Sequence, residues 1–337
     1  MDGKKMTNEE NYHFDVAGYL IIPSVLTINE LKACNQALDR AGTIDGKLEC
    51  TVASCSPLLA LRDHPVLVYY LEQICGEGFR LDQLPHLIGP ETDQTKPFLS
   101  EGSEWQDWSR AYRQHSGVRF CQGMLALWAL EDVSENNGGL VVVPASHNSS
   151  VDAPQELMHG IDGMGLVVQP VLQAGDLLLC ASSVMRGIRA QRGKGPQRLL
   201  EFGYISADVR ASTEAEITDS ESTMPEWTTE LTPVQRAVLH TPNRSYPPPI
   251  VHSDGKTTWL AEEPGIFHPS IGNKLMKNSP GIGSGRFGWM TKGFQESPDG
   301  KGLSDFPDKI FNQGDYKRGE VLGKYLQTHY YFPLHCR

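Results

Sequence analysis

The stretch that decides the fold runs from Gly138 to Tyr204. Its first part reads GGLVVVPASHNSS (138–150) and its second QAGDLLLCASSVMRGIRAQRGKGPQRLLEFGYIS (173–206). Three short apolar runs, Leu140 to Val143, Leu177 to Cys180 and Leu199 to Tyr204, are each closed by Gly, Pro or polar residues. That length and punctuation predict strands of a compact β-structure rather than helices. Gly175-Asp176 makes a tight turn into the middle run. The chain leaves it through Met185-Arg186-Gly187 and comes back with Arg198 at the start of the next run. The reading is a hairpin framework carrying two cations on one side.

Upstream, GMLALWALEDV (123–133) continues a strand that enters through a turn at Ser116-Gly117, and Phe79 to Leu87 forms another. Between them, 89–108 reads as a long polar loop. Two amphipathic helices precede these strands. Thr27 with Glu30 three residues on is a helix start, followed by Leu31, Cys34, Ala37 and Leu38 on one face. His64-Pro65 opens the second, which carries Leu67, Tyr70, Leu71 and Ile74 and stops at Gly76. Both stripes are read as core faces lying on a sheet rather than as partner-binding helices. The segment Asn11 to Ile22 ends in a short apolar strand closed by Pro23. Downstream, 208–227 is acidic and rich in Ser and Thr, and LTPVQRAVL (231–239) is a short helix with Pro in its first turn. From Thr241 on, Pro, Gly and Ser dominate and periodicity fades. The expected organisation is one domain over 1–240 and an irregular extension over 241–337 packed on it.

Composition excludes several classes. A net charge of −11 gives no broad attraction to phosphate backbones or anionic lipid, so neither nucleic acid nor membrane is an expected partner. The opening MDGKKMTNEENYHF has no apolar core of the signal-peptide kind, and the longest apolar runs fall short of the roughly 20 residues of a spanning helix. Seven scattered cysteines without CxxC pairs fit reduced thiols and a cytoplasmic protein, and no zinc site. No GxGxxG opens a helix after a strand, the close glycines near Gly281 lying in the irregular tail, and no GxxxxGK[ST], GxSxG or HExxH unit is present. The C-terminal His329, His335 and Cys336 have no recognised ligand spacing.

The ordered set LALWALEDV, ENNGGLVVVPASH, AGDLLLCASSVMRG and an Arg about a dozen residues later resembles phytanoyl-CoA dioxygenase-like proteins. The resemblance covers roughly residues 11–240. It implies a mainly β fold with flanking helices, a double-stranded β-helix of the jelly-roll, cupin-like kind. It also implies iron(II) and 2-oxoglutarate, the iron held by two His and one carboxylate. The distal His of the resemblance falls on Arg186, and the proximal His-x-Asp falls either on Ser100-Glu101-Gly102 or on His115-Ser116-Gly117. Neither alignment completes the triad. A guanidinium stays protonated and has no lone pair, so Arg186 cannot ligate iron, although it can fork onto a carboxylate or phosphate. Arg198 falls where the resemblance puts the residue that binds the far carboxylate of 2-oxoglutarate.

Three functions follow from these residues. The first is an atypical non-haem oxygenase acting on a small organic acid or metabolite, with iron on unorthodox ligands such as His115 with Glu101 or Glu104. The second is a metal-free pseudo-oxygenase that binds an anionic small molecule, 2-oxoglutarate or a similar di-acid, through Arg198 and Arg186. The third is a metal-independent isomerase or lyase with His115 as base and Arg186 steadying the developing charge. Tyr112 and Trp128 are candidate substrate contacts. Each residue also has a plain structural reading: Arg186 in a surface ion pair, Arg198 as a strand-edge cation, His115 and His147 as turn-closing imidazoles, Trp128 as core, Cys180 as a buried inert thiol.

Overall fold

The computed structural model describes residues 5–44, 47–49, 52–88, 111–115, 118–135, 138–189, 198–207, 231–239 and 250–261. All of them fall within the unit Met1–Ile271, and the second unit, Gly272–Arg337, lies outside the described residues. In chain order the elements begin with helix α1 (Asn8–Ala17), strand β1 (Tyr19–Ile22), α2 (Ile28–Arg40), β2 (Gly42–Ile44), β3 (Lys47–Glu49), α3 (Val52–Leu59) and α4 (Pro65–Ile74). The strands β4 (Arg80–Ile88), β5 (Tyr112–His115), β6 (Val118–Cys121), β7 (Gly123–Ala129) and β8 (Gly139–Val142) follow. A one-turn helix α5 (Gln155–Met158) leads to β9 (Leu177–Ala181), β10 (Arg186–Arg189) and β11 (Leu199–Ile205). Helix α6 (Pro233–Val238) and the hairpin β12 (Val251–Ser253) and β13 (Thr258–Leu260) complete the described chain. Among the described residues no helix is long and apolar enough to cross a membrane.

The large sheet has the order β1-β9-β7-β11-β4-β3-β2, and its strand pairs are antiparallel. β8 and β10 form a second, two-stranded sheet, and β5 pairs with β6 in a hairpin. All seven residues of β7 are buried, as befits a central strand covered on both faces. Register sorts the side chains into two layers. Met124, Ala126 and Trp128 of β7 lie beside Tyr204, Phe202 and Leu200 of β11 and beside Ala181, Leu179 and Leu177 of β9. This face meets the helices: Trp128 stacks edge-on against His64 with ring centroids 5.3 Å apart, and the Tyr204 hydroxyl donates to the Arg62 carbonyl at 2.7 Å. The opposite face carries Leu125 and Leu127, Cys180 and Leu178, and Leu199, Glu201 and Gly203. It meets the small sheet, where Leu140, Val142 and Ile188 belong to the same apolar core. Two facing antiparallel sheets with helices on the outside of one are the double-stranded β-helix that the motif order implied.

The chain changes sheet between β9 and β10. β9 pairs with β1 and β7, whereas β10 pairs with β8, so the hairpin expected over 175–204 is replaced by a crossing between layers. The tight turn into β9 is present. Gly175 has φ +99°, a Cβ there would stand 3.2 Å from the Leu26 carbonyl oxygen, and the Asp176 carboxylate accepts from the backbone of Ser24 and Gln173, both at 2.8 Å. These bonds fix where β1 enters the sheet.

The two expected amphipathic helices form with their expected caps. Thr27 and Glu30 make a reciprocal capping box on α2, which buries Cys34, Ala37 and Leu38, and His64 caps α4 by accepting from Val66. α1 was not foreseen because only Phe14 of its ten residues is fully buried; a Thr7–Glu10 capping box sets its start. α3, with Pro57 inside it, was also missed. The hairpin β12–β13 lies within the stretch read as irregular, tied to α4 through His252 and Glu72 at 2.8 Å.

Candidate ligand cup

Arg186 opens β10, opposite Val142. Two residues on, Ile188 lies opposite Leu140, and both belong to the main core. The flanking Met185 packs instead with Val141, Val143 and Leu157 on the outer side of the small sheet. Strand alternation therefore turns the Arg186 side chain into the space between the sheets. There it meets Glu201 of β11, Nε to Oε2 4.0 Å, with side-chain exposures of 14% and 12%. Nη1 also donates to the Ser182 carbonyl at 3.4 Å. Glu201 is flanked across the sheet by Leu127 of β7 and His86 of β4. At 4.0 Å the pair is an ion pair and not a hydrogen bond. Cys180 lies in the same layer; burial pushes its thiol up to about 12 against the opposing pull of Arg186, so it stays a neutral thiol.

Arg198 does not reach this space. Its carbonyl accepts from Leu130, which extends the β11–β7 register by one residue and puts residue 198 on the face of Leu200, Phe202 and Tyr204. The guanidinium grips α2 instead: Nη2 lies 2.5 Å from Asp39 Oδ1, and Nη1 donates to Asn35 Oδ1 at 3.0 Å. Asn35 passes the tie on by donating to the Leu130 carbonyl at 2.8 Å. Arg186 thus faces the inner side of the large sheet from the small one, whereas Arg198 lies on the helix side of β11, so the two cations on one side expected from the sequence are separated.

Trp128 is likewise on the helix side, wholly buried against His64, and away from the cup. Tyr112 begins β5, and its hydroxyl donates to the Asp15 carboxylate of α1. Its ring lies 4.7 Å from that of His147 and 5.9 Å from that of Phe14. Burial, and then the Asp15 hydrogen bond, raise the phenol well above its ordinary value. His147 of the PASH turn lies 3.0 Å, through Nε2, from the Asp15 carbonyl, and burial lowers its pKa. Tyr112 and His147 together fasten the end of α1 to the turn after β8. His115 closes β5 opposite Val118, and of it only the backbone is described. Glu101, Glu104 and the rest of the expected polar loop lie outside the described residues.

Glu201 is the residue that sequence reasoning missed. Its signal was visible: a carboxylate set inside the apolar run LLEFGYI, in phase with Leu199 rather than with the outward positions. Among the described lining residues, Arg186 offers no lone pair to a metal. A fixed cation stands where the resemblance places an imidazole, and among the described residues no three His, Cys, Asp or Glu side chains are grouped to hold a metal.

A family model described as phytanoyl-CoA dioxygenase (PhyH) matches residues 92–198. No curated protein matches the chain. Among solved structures the chain is similar to HygX from Streptomyces hygroscopicus. The form with nickel and 2-oxoglutarate bound has a TM-score of 0.55 at 21% identity, over 65% of this chain and 95% of that one. The apo form has a TM-score of 0.53 at 20% identity, over 66% and 95%. The iron-bound form has a TM-score of 0.52 at 22% identity, over 60% and 87%. These likenesses show the double-stranded β-helix fold.

Proposed function

We propose that this chain, which belongs to the phytanoyl-CoA dioxygenase-like family, uses the cup between its two sheets to bind a small organic acid without the family's iron. The observation that carries the proposal is the inward-facing Arg186 with Glu201 beside it. A guanidinium held in a low-dielectric pocket recognises carboxylates by paired N–H donors, and it repels a dication at the same place. HygX has been solved with 2-oxoglutarate, which makes that di-acid the first ligand to try.

Arg198 is assigned a structural role in this reading, holding α2 to the ends of β7 and β11. Arg186 is the anchor. Glu201 orients it and offsets its charge, so a carboxylate enters as a competitor for the same guanidinium.

The test has two arms. Anaerobic titration with ferrous iron and 2-oxoglutarate is expected to give no metal-to-ligand charge-transfer band, and 2-oxoglutarate alone is expected to raise the melting temperature by mass action. Arg186→Ala removes that rise and Arg198→Ala keeps it. A charge-transfer band overturns the proposal and returns oxygenase chemistry to the cup.

A further inference from the structure

The segment from Val151 to Val171 follows the turn after β8 and returns beside the small sheet, where Val168 pairs with Val142. Of the large apolar side chains exposed among the described residues, six are gathered here: Val151 at 77%, Ile161 at 78%, Met164 at 52%, Leu166 at 50%, Val168 at 40% and Val171 at 54%. Val168, opposite Val142, shares the face of Arg186; scattered single exposures are ordinary, but the other five within one short connection are the kind of grouping that marks an interaction site.

The connection is pinned from below. Leu157 is buried with Val141, Val143 and Met185, and Val168 exchanges both backbone hydrogen bonds with Val142 at 2.8 Å. Leu166 donates to the Gly163 carbonyl at 2.8 Å, and the Gln169 amide donates to the carbonyls of Ser134 and Gly138. With its backbone fixed in this way the segment cannot turn its outer side chains inward. They stay in water until something covers them.

Charge selects what covers them. From Phe120 to Met185 the sequence has no Lys or Arg and seven Asp or Glu. Three of these acids, Asp152, Glu156 and Asp162, are exposed within the patch itself. An anionic bilayer is repelled by such a rim, and a second copy would bring the same sign of charge. We propose that the Val151–Val171 platform docks a cationic amphipathic segment of a partner protein. Its apolar stripe would cover Ile161, Met164 and Leu166, and its Lys or Arg residues would meet Asp152, Glu156 and Asp162. Recognition of this kind combines burial at the centre with complementary charge at the rim.

The experiment uses the full chain and two labelled synthetic helical peptides of about 18 residues, with Leu at i, i+3, i+4 and i+7 spacing and either Lys or Glu elsewhere. The Leu/Lys peptide is expected to bind, with affinity falling as salt is added, and the Leu/Glu peptide is expected not to bind. Ile161→Ser combined with Leu166→Ser should weaken the Leu/Lys peptide at least tenfold. Asp152→Lys combined with Glu156→Lys should do the same by the other route. All four positions are exposed, so the melting temperature of each variant should match the parent. Equal binding of the two peptides, or unchanged binding by both variants, overturns the proposal. Co-sedimentation with anionic vesicles, or a dimer that Ile161→Ser and Leu166→Ser dissociate, also overturns it, in favour of a bilayer or of a second copy.

Discussion

Arg186 and Glu201 come from different sheets and meet between them, Nε to Oε2 at 4.0 Å, with both side chains largely removed from water. Removing one member of such a pair takes a neighbouring opposite charge from the other, at a cost toward the low end of about 3–5 kcal/mol. Arg186→Met and Glu201→Gln should therefore each lower the urea midpoint. The double variant Arg186→Met/Glu201→Met should be more stable than the sum of the single changes implies. Strict additivity in that cycle would mean that the two residues are not energetically coupled.

Arg198 gives the contrasting case. Its partner Asp39 is 60% exposed, so the ion pair itself contributes only about 0.2–1 kcal/mol. Arg198→Ala should lower stability by about 1 kcal/mol once the bonds to Asn35 are included. Equilibrium unfolding measures this directly, and a loss several times larger would give Arg198 a role beyond holding α2.

Gly18 ends α1 with φ +79°, and a Cβ there would stand 2.4 Å from Val184 Cγ2 and 2.5 Å from His147 Nδ1. Gly18→Ala meets two penalties, about 1–2 kcal/mol for the left-handed backbone and about 1–3 kcal/mol for overpacking. The expected result is a loss of several degrees in melting temperature. An unchanged melting curve would show that α1 does not depend on this close approach.

Two histidines should give stability opposite slopes with pH. Burial lowers the pKa of His147 below the ordinary 6.5, so the unfolded chain takes up its proton first. The His147 contribution is complete above that value and is lost as pH falls toward the lowered one. For His252 the hydrogen bond that its ring donates to the Glu72 carboxylate raises the pKa, so its contribution is complete below 6.5 and is lost as pH rises through the raised value. Melting temperatures across pH 5–8 should show His147→Gln with a shallower acid limb than the parent. Glu72→Gln should flatten the neutral limb. The same slopes in parent and variants would remove both assignments.

The fold was legible wherever one residue type has one physical use. The runs around Leu140, Leu177 and Leu199 became β8, β9 and β11, and Thr27 with Glu30 capped α2. Gly175-Asp176 made the turn that its φ of +99° requires. The cup was harder to read, because facing is set by register and not by composition. Arg186 and Arg198 look equivalent in a linear string, but Arg186 falls on the small sheet and faces inward, while Arg198 falls on the helix side of β11 and reaches α2. Glu201 was passed over because its neighbours Leu199, Leu200 and Phe202 describe a buried strand well without it. α1 had no stripe to find, since a single Phe14 anchors it.

The order β1-β9-β7-β11-β4 places no two consecutive strands of the sequence side by side. Beyond the short run β4-β3-β2, Tyr19 must wait for Cys180 and Arg80 for Ile205 before either is paired. A nascent chain leaving the ribosome therefore carries its first two hundred or so residues without a closed sheet, whatever helices have already formed. Release of the last residues of β11 is the event that joins β4 to β7 and closes the sheet. Any premature stop before Ile205 yields a polypeptide with exposed strand edges, matter for chaperones and proteases rather than a smaller working protein.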